Sequence, residues 1–438
     1  MQVYWQKEMA TGSPNTDALS KPLIPVSFKP DRLERVFIAV VNRLHRGKLT
    51  VNFPSGNSYT LSGSQDLIDG RHFHATWNLK SHRAIRRMLR GRSIGFAESY
   101  MHGEWDSPDL AHLLELLACN MDAMESYFRS WSIVRSWNRI QHLLRSNTRR
   151  GSRRNISYHY DLGNDFYRLW LGTDMTYSAA IFDHEKQDLA AAQDNKYRRL
   201  AEELELKPHH RVLEIGCGWG GFAEFAARNY GCRIVCLTLS REQLAWTQER
   251  IERAGMSDLV ECRFQDYRDV SGPFDRIVSV EMFEAVGEEH WSTYFDQVRR
   301  CLVPGGRAGL QIISIANERY DAYRDKADFI QKYIFPGGML PSQEKLDSHI
   351  QRAGLVKTGQ TNFGLSYART LKIWRTKFLK NWDAIARLGY SEQFRRMWEY
   401  YLCYCEAGFR RGTIDVGHYF LRKDQSPLLN DQDEDSEE

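Results

Sequence analysis

Five apolar runs, at 211–215, 233–239, 259–264, 274–280 and 307–315, follow one another with helical patterns between most of them. Strands separated by helices return in the same direction and build a parallel sheet covered on both faces. The alternation therefore predicts an α/β domain with a Rossmann-like, doubly wound, mostly parallel sheet. The first run leads into VLEIGCGWGG (212–221), which reads as a strand, a glycine turn and the start of a helix. Gly216, Gly218 and Gly221 allow the backbone to turn tightly and to approach a ligand closely, with a helix N-terminus behind them.

The same glycines also satisfy G-x-G-x-x-G, the spacing of a nicotinamide dinucleotide site. Three later features separate the two readings. The second run ends in Thr238, Leu239 and Ser240, not in the acid that grips a dinucleotide ribose. The third ends in Gln265-Asp266-Tyr267, where an amide or acid can meet an adenine amino group. LVPGGR (302–307) precedes the fifth run, as L-x-P-G-G does in many S-adenosylmethionine (SAM) methyltransferases. Together these features resemble the class I SAM-dependent methyltransferases. The fourth run ends in VSVEMFEAVG (278–287), without the N/D-P-P-Y/F that flanks a flipped base in amino-methylating nucleic-acid enzymes. A nucleic-acid partner is not expected, although a small-molecule or RNA methyltransferase using the basic face is a rival reading.

The 438 residues suit two or three domains, taking roughly 150 residues for each. We divide them into a loosely ordered 1–28, an N-terminal α+β accessory domain over 29–144, a basic linker at 145–155, a methyltransferase domain over 156–424 and an acidic, disordered tail at 425–438. The accessory region opens with alternation over 48–61 around Pro54-Ser55-Gly56-Asn57, a hairpin signal. A short helix at 80–92 sets Arg83, Arg86, Arg87 and Arg90 on one stripe, either a solvated face or a surface for anionic lipid head groups. The net charge of +4 includes a final DQDEDSEE with six acids and no base, so the body carries +10 and favours an anionic partner. No apolar run reaches the roughly 18 residues of a membrane-spanning helix, no signal peptide is visible, and the eight cysteines show no metal or disulfide spacing. A cytoplasmic enzyme without a metal is expected, with aromatic residues after 365 (Trp374, Phe378, Trp382, Phe394, Trp398, Tyr401) forming core or the wall of an apolar channel.

Nine strings carry a closer resemblance: GFAESYMHGEWDSPDL (95–110), HYDLGNDFY (159–167), MTYSAAIF (175–182), LEIGCGWGG, LTLSREQ (237–243), QDYRD (265–269), MFEAVG (282–287), KYIFPGGMLPS (332–342) and NFGLSYARTL (362–371). Over about residues 30–423 the chain resembles the cyclopropane fatty acid synthase family and its mycolic-acid relatives. The resemblance implies transfer of a methyl or methylene group from SAM to a cis double bond of unsaturated phospholipid acyl chains. It also implies an enzyme peripherally attached to the inner face of the membrane, and a homodimer. A related alternative yields a methyl-branched unsaturated chain without a ring; another is a non-catalytic membrane-binding module that keeps the SAM fold.

An alkene is a weak nucleophile, so such chemistry needs alignment of the methyl donor and stabilisation of a carbocation. Tyr177, Phe283, Tyr333, Phe335 and Tyr367 lie in the matching strings and are candidates for the latter. In the family a bound bicarbonate is thought to take the proton, held by a Cys in Y-S-C-A, a Glu in M-F-E, a His on strand five and a Tyr near N-F-G. Those positions are here Ala179, Glu284, Gln311 and Tyr367, of which two match. We take Glu284, Tyr367 and Gln311 as the catalytic set. Glu281, three residues before Glu284, reads as a cap of the following turn or as an alternative base. By the same matching, SAM contacts fall on Tyr177 and Ser178, on Gly216, Gly218 and Gly220, on Thr238 and Gln243 near the ribose, and on Gln265 and Asp266 near the adenine.

Overall fold

The computed structural model describes residues 30–424 apart from 66, 69, 122, 124–161 and 326–327. The expected linker at 145–155, both chain ends and the start of HYDLGNDFY lie outside the described residues.

The N-terminal part begins with the helix Arg32–Val41. Asp31 and Glu34 form a reciprocal capping box at its start, which satisfies backbone N–H groups that the first helical turn leaves without partners. Strands β1 (Lys48–Asn52), β2 (Ser58–Ser62), β3 (His74–Leu79) and β4 (Trp105–Asp106) form one sheet in the order β2-β1-β3-β4. The hairpin read from the sequence is the antiparallel β1–β2 pair. Its alternation places Leu49, Val51, Tyr59 and Leu61 inside.

The helix predicted at 80–92 runs further, over His82–Met101, with a break at Arg92, whose φ is 51°. Arg83, Arg86 and Arg90 are exposed on it. Arg87 leaves that stripe: it turns inward and makes a two-pronged contact with Glu104, because a guanidinium fork matches a carboxylate.

The second part holds a seven-stranded sheet. Its strands are β5 (Arg211–Ile215), β6 (Arg233–Thr238), β7 (Val260–Phe264), β8 (Phe274–Val280), β9 (Leu302–Ile315), β10 (Leu355–Asn362) and β11 (Ile414–Lys423), in the order β10-β11-β9-β8-β5-β6-β7. The five anticipated strands are parallel neighbours. Strand β11 inserts antiparallel between β9 and β10. Adjacent residues of β5 serve opposite faces. Leu213 and Ile215 pack under the helices Trp291–Cys301 and Gln343–Arg352, while Val212 packs with Leu200 and Phe222 on the other side. On the helix Trp291–Cys301, Trp291, Tyr294, Phe295 and Val298 repeat at i, i+3, i+4 and i+7 and are fully buried. Each such side chain contributes about 1.5–3 kcal/mol by leaving water.

The two parts share one core. Residues from the N-terminal sheet, such as Trp77 and Trp105, belong to the same apolar cluster as Trp374, Phe378 and Trp398. Arg396 on the helix Glu392–Arg410 donates to the carbonyls of Tyr100 and Trp105, which ties the parts together with charge-assisted bonds. The late aromatic residues are therefore mainly core, and of the six Tyr401 lines the large cavity that runs toward the glycine turn.

Candidate active site

Strand β5 delivers the glycine turn to the carboxyl edge of the sheet, where ligands of doubly wound folds bind. Gly216, Gly218 and Gly220 have φ of 82°, 53° and 80°, a region open to glycine. At Gly216 space is tight as well, since a Cβ there would stand 2.6 Å from Met282 Cγ. Gly220 is needed for packing: its Cβ would stand 2.6 Å from Thr247 Cγ2.

A pocket opens over this turn. Of the expected SAM contacts, Tyr177, Ser178, Gly216, Gly218, Thr238, Gln243 and Gln265 line it. Thr238 donates its hydroxyl to Gln243 Oε1 at 2.9 Å, and Ser240 caps the next helix by accepting from the Gln243 backbone N–H, so Gln243 is held at the rim. Gly220 and Asp266 do not line the pocket. The carboxylate of Asp266 instead grips Arg268 at 2.9 and 2.7 Å and caps a short turn through the Arg268 N–H. The arginine two residues on, inside the same QDYRD string, gives the aspartate a partner at hand.

One buried acid lines the pocket, and a buried lysine holds one of its lining residues. Glu214 lines it with Oε2 unpartnered among the described residues, and burial raises its carboxyl to about 8. An unpaired buried acid facing the pocket suits a ligand carrying an ammonium and a sulfonium, because opposite charge repays the desolvation. Beneath it the fully buried Lys196 donates to Ser178 Oγ and Gln193 Oε1, both at 2.6 Å. Burial holds its ammonium below the usual lysine range. Sequence reasoning missed Lys196, since a lysine in a helical pattern ordinarily faces solvent.

A second, larger cavity of about 840 Å³ reaches the same place from the other side. It begins among Phe37, Val41, Trp77, Met88 and Leu114 of the N-terminal part. It continues past Leu371 and Tyr401 to Tyr177 and Tyr367. Tyr177, Glu281 and Ala285 line both cavities and so form their common wall. Of the five aromatic candidates, Tyr177, Phe335 and Tyr367 face the large cavity. Phe283 packs instead against Trp291, Tyr294 and Phe295, and Tyr333 donates to Glu98 Oε1 at 2.6 Å.

The acidic residues divide in a way the sequence does not reveal. Glu281 Oε1 accepts from the Ala179 N–H and from Gln311 Nε2, each at 2.7 Å, and Oε2 accepts from the Tyr367 hydroxyl at 2.8 Å. Its side chain caps no turn; the turn Phe283–Ala285 has no side-chain cap. Burial raises the carboxyl, and the Ala179 N–H and the Tyr367 hydroxyl oppose that rise. Glu284 stands apart: Oε1 accepts from the Ile313 N–H at 2.5 Å, and Oε2 is buried without a partner among the described residues. Burial and the neighbouring Glu281 charge raise it to about 8. Glu284 and Tyr367 line the large cavity; Gln311 is fully buried behind it.

The parallel sheet, the glycine turn and the pocket above it define a class I SAM-dependent methyltransferase. The family model described as "Mycolic acid cyclopropane synthetase" matches residues 147–419, and the chain belongs to that family. It is 41% identical over 356 residues to the "Tuberculostearic acid methyltransferase UfaA1" of Mycobacterium tuberculosis, covering 78% of this chain and 82% of the relative. It is 37% identical over 344 residues to the "Cyclopropane-fatty-acyl-phospholipid synthase" of Escherichia coli K12, covering 76% and 84%. The structure described as mycolic acid cyclopropane synthase CmaA1 complexed with SAH and CTAB superposes with a TM-score of 0.58 at 30% identity, over 62% of this chain and 98% of that one. The protein is thus an enzyme that uses SAM as co-substrate and modifies lipid acyl chains. Among the described residues no helix is long and apolar enough to cross a membrane.

Proposed function

We propose that the enzyme transfers the SAM methyl carbon to a cis double bond of an unsaturated phospholipid acyl chain and closes a cyclopropane ring. The observation that carries this reading is the shared wall of Tyr177, Glu281 and Ala285. An apolar cavity of about 840 Å³, within the usual size range of ligand pockets, ends where the other pocket presents the SAM site. A double bond partway along a chain lying in it meets the methyl carbon in line with sulfur, and that alignment is the main catalytic requirement. The alkene π pair forms the new C–C bond, and the C–S pair remains on sulfur. The positive charge left on the neighbouring chain carbon lies beside the faces of Tyr177, Phe335 and Tyr367.

SAM bound in its pocket supplies an electrophilic methyl group. Glu214 is placed to meet its positive charge, and Lys196 holds Ser178. Apolar walls on the other side exclude water, which would otherwise trap the cation as an alcohol. The polar rim of the large cavity includes Arg92 and Ser93, two and three residues beyond Arg90, the last of the exposed Arg83, Arg86 and Arg90. A phospholipid phosphate fits that rim, with the enzyme resting on an anionic membrane surface.

A second reading, methyl transfer without ring closure, is supported by the 41% identical relative that is named a methyltransferase rather than a synthase. A small-molecule or RNA substrate suits the long apolar cavity poorly. The test is incubation of the protein with SAM and oleoyl phosphatidylglycerol vesicles, followed by analysis of the fatty acids. A gain of one CH2 with upfield cyclopropane proton signals supports the first reading. The same gain with a branched alkene supports the second. Unchanged fatty acids defeat both.

A further inference from the structure

We propose that the Glu281 carboxylate is the proton acceptor of this reaction, an anion built into the chain where the family resemblance expects bicarbonate, so that turnover needs no added anion. The inference rests on the acyl-chain reading above. Three of the four positions implied for bicarbonate, Ala179, Gln311 and Tyr367, send their hydrogen bonds to Glu281 instead. The fourth, Glu284, is engaged by the Ile313 backbone. Ala179 takes part through its backbone, its N–H donating to Glu281 and its carbonyl accepting from Gln311 Nε2 at 3.4 Å, so a missing thiol there costs the arrangement nothing. Glu281 also belongs to the wall common to both cavities, so its oxygens lie beside the place where a transferred methyl arrives.

The surroundings hold an anion. Two donors reach one oxygen and one reaches the other, which stabilises the ionised form against burial. Gln311 is oriented for this by His418. Burial depresses the imidazole to about 3, so the ring is neutral. Its Nε2–H then donates to Gln311 Oε1 at 3.0 Å, and the Gln311 NH2 turns toward Glu281. The backbone supports the same conclusion, because Glu281 has a φ of 49°. A non-glycine residue held there is strained and persists where the surroundings over-determine it, often at functional sites.

The step balances without a further reactant. After methyl transfer the cation loses a proton from the new methyl group. That C–H pair becomes the third ring bond, the proton moves to a Glu281 oxygen, and the resulting carboxylic acid returns it to solvent after product leaves. In the ring-free outcome the proton comes from a chain carbon and the same oxygen receives it.

The test uses the full-length enzyme, oleoyl phosphatidylglycerol vesicles and buffers stripped of carbon dioxide. The wild type should turn over equally with and without bicarbonate. Glu281→Gln should lose about 10²–10⁴-fold in kcat, the range for loss of a general base, while its SAM affinity by calorimetry stays within about threefold. Glu281→Gly suits the left-handed backbone and vacates the seat; its activity should be restored by added formate or bicarbonate in a saturable way. Wild-type turnover that vanishes on bicarbonate removal overturns the proposal, as does Glu281→Gln within tenfold of wild type or Glu281→Gly that neither anion rescues. A wild type that alters no unsaturated lipid sinks the acyl-chain reading beneath it, a result distinct from product formation by Glu281→Gln.

Discussion

Tyr367 donates its hydroxyl to Glu281 Oε2 at 2.8 Å, joining the first turns of the helix Gly364–Lys380 to the end of β8 across 86 residues of chain. The bond favours the ionised carboxylate. Tyr367→Phe keeps the ring but removes that donor, and should lower kcat about 10–100-fold, somewhat less than loss of a full oxyanion-type donor. SAM affinity should be unchanged. Wild-type kcat in Tyr367→Phe would show that this contact does not contribute to turnover.

The pH profile should carry the same signature. Burial raises Glu281, so its ionised fraction falls at a pH above the ordinary carboxylate range. A base must be ionised to act, so kcat should rise with pH along an acid limb lying above 4.5, the unperturbed value. Removing the Tyr367 donor should push that limb to higher pH. Stopped-time product assays across pH on wild type and Tyr367→Phe check both the limb and the direction of its movement.

Glu284 predicts a stability effect of definite sign. Its folded value of about 8 lies above the 4.5 of an unperturbed glutamate, so the fold prefers the protonated acid. Stability from this group is full below 4.5 and declines as pH rises toward 8, by at most about 1.4 kcal/mol per pH unit. Glu284→Gln mimics the neutral acid and should flatten part of that decline in denaturant titrations between pH 5 and 8.5. Because the neutral form already predominates at neutral pH, its kcat should fall much less than that of Glu281→Gln.

Gly216→Ala tests the donor pocket. The new methyl meets Met282 Cγ at 2.6 Å on a backbone with φ of 82°. SAM affinity should fall at least tenfold, corresponding to about 1.4 kcal/mol, with the fold retained by circular dichroism. Equal affinity would place the donor elsewhere.

Ala118→Phe tests the other cavity from its distant end. Ala118 lines the cavity from the helix Leu110–Cys119 of the N-terminal part. The larger side chain should shorten the range of acyl chains accepted, reducing kcat/KM for long chains more than for short ones, with SAM affinity intact. An unchanged chain-length profile would remove the N-terminal part from the substrate path.

Much of the architecture is legible before folding. Four of the five parallel strands fall within about a residue of their observed ends, because apolar runs interrupted by helices admit few other arrangements; β9 begins five residues earlier, at Leu302. Strand β11 escaped notice. It lies in the sheet interior with Val416 to Leu421 buried without interruption, so it lacks the alternation that marks a strand with one wet face. The arginine stripe was read from helical spacing, but spacing cannot register that Glu104 waits for Arg87.

Chain order alone determined the donor half of the protein: glycines at fixed intervals behind a strand place a ligand turn, and the ends of the second and third strands with LVPGGR separate a SAM pocket from a dinucleotide one. Which acid serves the chemistry was decided by folding. Glu281 and Glu284 are three residues apart and chemically identical, yet one receives donors from Ala179, Gln311 and Tyr367 while the other is met by backbone N–H groups, that of Ile313 among them. Those donors lie 102, 30 and 86 residues away. A carboxyl's proton affinity follows from what surrounds it in space, and a local motif holds no record of neighbours that distant.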